Sequence, residues 1–376
     1  MEPPPPLRDR HPAALADELV EEILLRSPPD DPARLVHAAL VCKRWCRLIS
    51  AHAFRRRFRP APMLGFLCND APRAREGDEA CSARFVRTAA SCPPIATRHG
   101  WHALDARAGR VLLHRAAAAQ EIRLAVWDPL AATGDRDHLD LPAPALPRRP
   151  RSSNAALLCD DEPADGPPFR VVLVGTDAEG AFASVYSSSA APEPAAWSDP
   201  AYAPQHAADH VDTARAAVAG GALYFVCQRR TNLLKYDLGT GAMSVVRLPP
   251  ASHNQRIALT TAAEHGGLGF VRMDGYRLGL WSMVGRPDGG GAVEWTRDRV
   301  IDLRTLLPVI DLLGYAHGHG IVLVGTVDGF FYVDQKSGRI TKVGDGPGFY
   351  NVVPYVSFCT PALGTVSTDE VSSANE

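Results

Sequence analysis

No run of about eighteen apolar residues occurs in this chain and its opening residues hold no secretory apolar core, so neither a membrane span nor export is expected. Paired cysteines are missing too. Eight cysteines occur among 376 residues, none in a C-x-x-C pair or at regular spacing, which excludes a readable zinc finger or disulfide framework and points to a reduced, intracellular compartment. Charge of one sign is also lacking. With 40 Lys plus Arg against 42 Asp plus Glu the net charge is -2, so nothing draws the chain in bulk to nucleic acid or to an anionic membrane. Lysine stands only at Lys43, Lys235, Lys336 and Lys342, so 40 minus 4 leaves 36 arginines. With the abundant alanine and proline, that reflects GC-rich coding rather than a function.

Catalytic signatures are absent as well: there is no G-x-S-x-G elbow, G-x-x-x-x-G-K loop, H-E-x-x-H pair or dinucleotide fingerprint. His206 and His210, four apart beside Asp209 and Asp212, could share a metal on a helix, but their Ala-rich surroundings read as a polar loop. His317 and His319 alternate with glycines and have no third ligand. Gly289-Gly290-Gly291 precedes no strand-to-helix switch and no phosphate-pairing lysine, so it reads as a hairpin loop. Cys42 and Cys46 lie four apart with no second pair. Arg148, Arg149 and Arg151 form a basic loop without interleaved aromatics, and residues 1–60 hold eleven Lys or Arg against eight Asp or Glu, too slight an excess to track phosphates. No metal, cofactor, nucleic-acid or membrane partner is expected.

What the chain does contain begins at LADELVEEILLRSPPDDPARLVHAALVCKRWCRLI, Leu15 to Ile49. Leu15, Leu19 and Ile23 recur every fourth residue and Leu24 widens the stripe, as on one apolar helix face; Asp17 and Glu18 suit its N-terminus. Ser27-Pro28-Pro29 should stop the helix, and Asp30-Asp31-Pro32 should start the next, with Pro32 where a missing donor costs nothing. Leu35, Val36 and Ala39 follow, then Val41, Trp45, Leu48 and Ile49 at i, i+4, i+7 and i+8. Three short helices result. Such a unit of about forty residues needs a partner or a staple, and no staple is visible.

This stretch resembles the F-box, most specifically through Leu40-Val41-Cys42-Lys43-Arg44-Trp45 beside the first helix. It departs at Leu15-Ala16 and Ser27-Pro28, where the family usually has Leu-Pro. The resemblance implies docking on a Skp-family adaptor and, through it, on cullin in a ubiquitin ligase. Leu15, Leu19, Ile23, Leu24, Leu40, Val41, Cys42, Trp45, Leu48 and Ile49 would form or support that adaptor-binding surface.

From about residue 60 the period changes to short apolar runs separated by Gly, Pro, Asp and Ser, the mark of many short strands. Five strand-turn-strand units end at Trp127, Tyr186, Tyr236, Trp281 and Val333, spaced by 59, 50, 45 and 52 residues. That is near a propeller-blade period of about 40–50. Two units align without a gap, Lys235 to Gly241 against Tyr332 to Gly338, each an Asp followed four residues later by a Gly, as a tight turn requires. Segments 63–105 and 350–361 are left to supply another blade or close the ring. The expected fold class is therefore multidomain: a small all-α F-box of three helices plus a large all-β domain, a six-bladed β-propeller, with seven blades the alternative.

Through Val126 to Leu130, Ala183 to Ser187 and Gly348 to Val352, this part resembles the propeller-like associated domains of plant, especially grass, F-box proteins. The expected boundaries are a Pro-rich leader at 1–12, the F-box at 13–55, a linker at 56–62, the propeller at 63–365 and a tail at 366–376. HAFRRRFR, His52 to Arg59, reads as a solvated basic edge, with a nuclear import signal the weaker alternative. The resemblance implies a non-catalytic substrate receptor in the cytoplasm or nucleus, holding a target protein on the propeller. A propeller enzyme and an adaptor-bound scaffold outside the ligase are the rivals.

Overall fold

The computed structural model describes residues 15–27, 32–51, 54, 57–58, 63–70, 81–88, 92, 94–115, 121–130, 138–146, 148–159, 168–188, 195–203, 209–261, 267–285, 293–306, 308–345 and 349–357. The chain divides into two compact units, one comprising Met1–Pro62 with Phe358–Glu376 and the other Met63–Ser357. The expected leader, the tail, His206, Gly289-Gly290-Gly291, Pro28 to Asp31 and Gly348 lie outside the described residues.

In the first unit three helices form, α1 (Asp17–Leu25), α2 (Pro32–Val41) and α3 (Lys43–Ser50). Asp17 and Glu18 occupy the first turn of α1, where the free N–H groups favour acid, although Ala16 gives no side-chain cap. Pro32 opens α2 as expected. Between α2 and α3 the backbone turns extended at Cys42, whose Sγ accepts from Trp45 N at 3.5 Å. This break corrects the spacing read across Val41 and Trp45: the i, i+4 relation spans two helices, so Val41 faces solvent while Ile49 is buried.

A small core joins Val20, Leu24, Leu35, Ala39, Ile49, Phe54 and Phe58, with Trp45, Cys46 and Leu48 packed against it. Phe54 and Phe58, whose rings stack at 5.9 Å, were expected on a solvated basic edge; burial of two large rings outweighs the arginines around them. Arg57 projects outward instead, to Glu21 at 2.8 Å and Glu22 at 3.0 Å.

The second unit is a six-bladed β-propeller of antiparallel sheets. From the innermost strand outward, blade 2 is Trp101–Arg107, Arg110–Arg115, Leu124–Trp127 and His138–Asp140. Blade 3 is Ser152–Cys159, Phe169–Thr176 and Ala181–Ser187, whose last strand pairs with both Ala196–Trp197 and Ala201–Tyr202. Blade 4 is Ala217–Ala219, Ala222–Val226, Asn232–Asp237 and Met243–Arg247. Blade 5 is Ile257–Thr261, Leu268–Asp274, Arg277–Val284 and Glu294–Asp302; blade 6 is Val309–Ala316, Ile321–Thr326, Gly329–Asp334 and Ile340–Gly344. The five bulky closing residues each lie on the third strand of their blade.

Blade 1 joins the two ends of the unit. Its innermost strand, Phe349–Val356, pairs antiparallel with Met63–Asp70, which is followed outward by Ser82–Arg87 and Arg98–His99. The segments reserved for closing the ring thus do so, except that Trp101–Arg107 belongs to blade 2. Closure of the ring leaves only short, protected edges.

The core sits between neighbouring blades. Leu157, Val171 and Leu173 of blade 3 pack on Leu112 and Val126 of blade 2, and Phe225 and Leu234 of blade 4 pack on Val172 and Val174 of blade 3. Polar clamps bridge the seam between blades 1 and 2. Asn69 both donates to the Ala103 carbonyl and accepts from Ala103 N at 2.8 Å, and Tyr355 donates its hydroxyl to the Gly109 carbonyl at 2.8 Å. The aligned turns of blades 4 and 6 share one chemistry. Asp237 accepts from Gly239 N and Thr240 N, Asp334 from Lys336 N and Ser337 N, while Gly241 and Gly338 adopt φ of 70° and 74°.

Candidate functional site

Two surfaces present chemistry beyond what folding requires, one in each unit. In the helical unit, helix periodicity puts Val20 and Leu24 inward and leaves Leu15, Leu19 and Ile23 on another face, 51 %, 55 % and 55 % exposed. At the end of α2, Leu40 and Val41 are 61 % and 66 % exposed, and Cys42 beside them is exposed. A Leu or Val left in water forfeits about 1.5–3 kcal/mol relative to full burial, so the cluster favours a covering partner. Arg44 holds its two halves together, donating to Asp17 Oδ1 and to the Leu15 carbonyl at 2.5 Å each.

The ten residues read from sequence as one surface therefore separate. Leu15, Leu19, Ile23, Leu40, Val41 and Cys42 are solvent-facing. Leu24 and Ile49 are core positions, at 5 % and 0 % exposure, beneath that surface rather than on it. Trp45 and Leu48 are half-buried and rest on that core.

In the propeller, a pocket opens on the axis, lined by the innermost strands of blades 1, 2, 5 and 6 and by the approach to blade 4. Its empty space, mouth included, is about 620 Å³. Asn351 Nδ2 of blade 1 donates across it to Thr213 Oγ1 of blade 4 at 3.1 Å. Beside it lies a buried ionic knot. Asp105, fully buried between Leu104 and Ala106, accepts from Arg215 Nε at 2.7 Å, Arg107 Nε at 2.9 Å, Ala106 N at 2.9 Å and Leu157 N at 3.1 Å. Arg215 also donates to the Ala106 carbonyl at 2.7 Å.

Burial pushes the Asp105 carboxyl up, but the charges and hydrogen bonds of Arg107 and Arg215 outweigh it and hold it down at about 2. Arg215 moves below its ordinary value, through burial first, because one carboxylate serves two guanidiniums and Arg107 repels it. His317 is held neutral, far below its usual value, by burial and then by Arg215 and Arg107. The knot was not read from the sequence, where a lone Asp flanked by Leu104 and Ala106 was its only signal.

Burial pushes the Cys227 thiol up to about 12 and the Tyr315 hydroxyl up to about 12. Among the described residues no three His, Cys, Asp or Glu side chains converge to hold a metal, and no helix is long and apolar enough to cross a membrane. His319 is placed by its turn, Nδ1 lying 3.4 Å from the His317 carbonyl.

A profile of the F-box domain matches residues 14–57, and a profile described as "F-box protein AT5G49610-like, beta-propeller" matches residues 102–317. No curated protein matches the sequence. Among solved structures the chain is similar to puromycin hydrolase, with 16 % identity over 76 % of this chain and 47 % of that one and a TM-score of 0.38. It thus spans about half the length of that hydrolase. It is also similar to a functionally unknown protein from Desulfotomaculum acetoxidans, with 13 % identity over 76 % and 84 % of the two chains and a TM-score of 0.41. A nidogen/laminin complex gives 10 % identity over 78 % and 99 %, with a TM-score of 0.42.

Proposed function

This chain belongs to the AT5G49610-like F-box proteins that carry a β-propeller, and from that membership we propose that it is the substrate receptor of an SCF-type (Skp-cullin-F-box) ubiquitin ligase of a plant cell. The helical unit docks on a Skp-family adaptor, and through it on cullin, while the propeller holds a target protein. Leu15, Leu19, Ile23, Leu40, Val41 and Cys42 make the contact; Leu24 and Ile49 support it from beneath, with Trp45 and Leu48 at its margin. Such a receptor does no chemistry of its own: it raises the effective concentration of the target near the ubiquitin carrier. It works in the cytoplasm, the nucleus or both.

The observation that carries the docking reading is the exposure of five large apolar side chains on a unit that already has a closed core. A folded protein has no reason to leave them in water unless something covers them. To test it, the full chain is co-expressed with a Skp-family adaptor beside a Leu40→Asp, Val41→Asp variant. Both positions are exposed, so the variant folds with unchanged helical circular dichroism, and it does not co-purify with the adaptor. Failure of the wild type to co-purify, or equal recovery of the variant, overturns the docking claim.

A further inference from the structure

The axial pocket gathers arginines around one opening. Its lining side chains include Arg215, Arg230 and Arg256 but one carboxylate, Asp212. The compensating acids stand behind the wall. Asp105 holds Arg215 and Arg107, Asp311 pairs with Arg256, and Asp209 accepts from Arg229 N and the Thr231 hydroxyl in the turn below Arg230.

Two of the nearby polar atoms are buried with no hydrogen-bond partner, Arg230 Nε and His317 Nδ1. The Arg230 backbone is also held left-handed, at φ 54°, in the turn between the second and third strands of blade 4. For a side-chain-bearing residue that conformation is strained. Arg230 reaches Asp212 at 2.7 Å, and with Arg256, just ahead of the first strand of blade 5, it stands where the inner strands begin. Leu104, Leu259, Leu312 and Leu313 also border the pocket, with their side chains packed into the clusters between blades.

We propose that this pocket binds a carboxylate carried on a short stem, the carboxylate meeting Arg230 and Arg256. Guanidiniums pair with carboxylates through two parallel hydrogen bonds. With Asp212 in the wall and Asp311 and Asp105 close behind, a single negative charge fits where a phosphate dianion is repelled. The stem can be a free small molecule or the side chain of an acidic residue in a bound protein; the chemistry at the arginines is the same.

The test uses the full chain at fixed ionic strength, with binding followed by calorimetry or ligand-observed NMR. Hexanoate should bind about tenfold tighter than its uncharged isostere hexanamide, the margin of one charge-assisted contact. Arg230→Gln and Arg256→Gln should each remove most of that margin with the thermal transition still cooperative. If either variant fails to fold, the wild-type comparison of hexanoate with hexanamide decides alone. Inorganic phosphate should bind more weakly than hexanoate. An amidated, N-acetylated Leu-Glu-Leu peptide that binds where hexanoate does not assigns the carboxylate to a protein partner. Equal binding of hexanoate and hexanamide, phosphate as tight as hexanoate, or no binding by hexanoate and peptide alike overturns the proposal. Adaptor docking takes no part in these measurements, so either reading can fail without the other.

Discussion

Asp105→Asn changes one carboxyl oxygen to an amide and keeps the volume, yet it removes the anion that two buried guanidiniums share. In the native propeller Asp105 ties blade 2 to Arg215 of blade 4 and to Leu157 N of blade 3. Its carboxyl titrates at about 2 against an ordinary 3.8, a difference of 1.8 from those two figures. At 1.36 kcal/mol per pKa unit, the ionised form contributes about 2 kcal/mol at neutral pH. That is a lower bound on the cost of the substitution, because Asn also leaves Arg107 and Arg215 without a counter-charge. Breaking a buried pair from one side costs about 3–5 kcal/mol, and we expect a loss in that range. Five of the six tryptophans, Trp101, Trp127, Trp197, Trp281 and Trp295, belong to the propeller, so fluorescence during urea unfolding reports this unit. Because the native pKa is depressed, the contribution is full above about pH 4 and fades as pH falls toward 2, and the comparison belongs at pH 7. A loss under about 1 kcal/mol at pH 7 with an unchanged m-value would mean that the knot is not what holds these three blades in register.

Acid should weaken the propeller earlier than Asp105 alone would. The His114 imidazole is lowered to about 4 by burial and then by His102, so the unfolded chain takes up a proton near 6.5 that the native state refuses until about 4. Stability therefore falls by about 3 kcal/mol between those values, and His114→Gln should flatten the pH profile in that window. In the helical unit, Leu24→Ala empties a core position and should cost about 2–5 kcal/mol by thermal circular dichroism, reducing adaptor capture only to the extent that the unit unfolds. Tyr355→Phe deletes the 2.8 Å bond from the closing strand to the Gly109 carbonyl and should cost about 1–2 kcal/mol in the propeller transition, while an effect below the measurement error would show that apolar pairing alone seals the ring.

The propeller was legible because its signal repeats. Each hairpin of a blade's second and third strands is continuous in sequence and largely apolar, so Trp127, Tyr186, Tyr236, Trp281 and Val333 mark five blades directly. The sixth was read as leftover segments rather than as a blade, since its innermost strand comes from Phe349–Val356 and the rest from residues 63–99. Periodicity records neighbours along the chain, and this pairing spans the whole unit. The axial knot was hidden for the same reason. Asp105, Arg215 and His317 come from blades 2, 4 and 6 and meet only once the ring is closed; each alone reads as an ordinary polar residue at a strand end or turn.

In the helical unit the sequence leaves a different ambiguity, and its physics bears on function. Of the nine residues in α1, five are apolar, Leu19, Val20, Ile23, Leu24 and Leu25, enough to cover more than one face. A period of 3.6 residues identifies two apolar stripes but cannot tell which one belongs to the protein's own core, because a core and a partner interface select for the same side chains. Volume decides it. With Phe54 and Phe58 arriving from beyond α3, the space beneath α1 is filled by Val20, Leu24, Leu35, Ala39 and Ile49, and no room remains for Leu19 or Ile23. The Phe pair, taken from sequence for part of a basic edge, is thus what turns the Leu15, Leu19 and Ile23 stripe outward. The apolar surplus on α1 is then not a packing failure of a domain too small to fold, but a surface left over after the core is complete, which is the condition a docking face must meet.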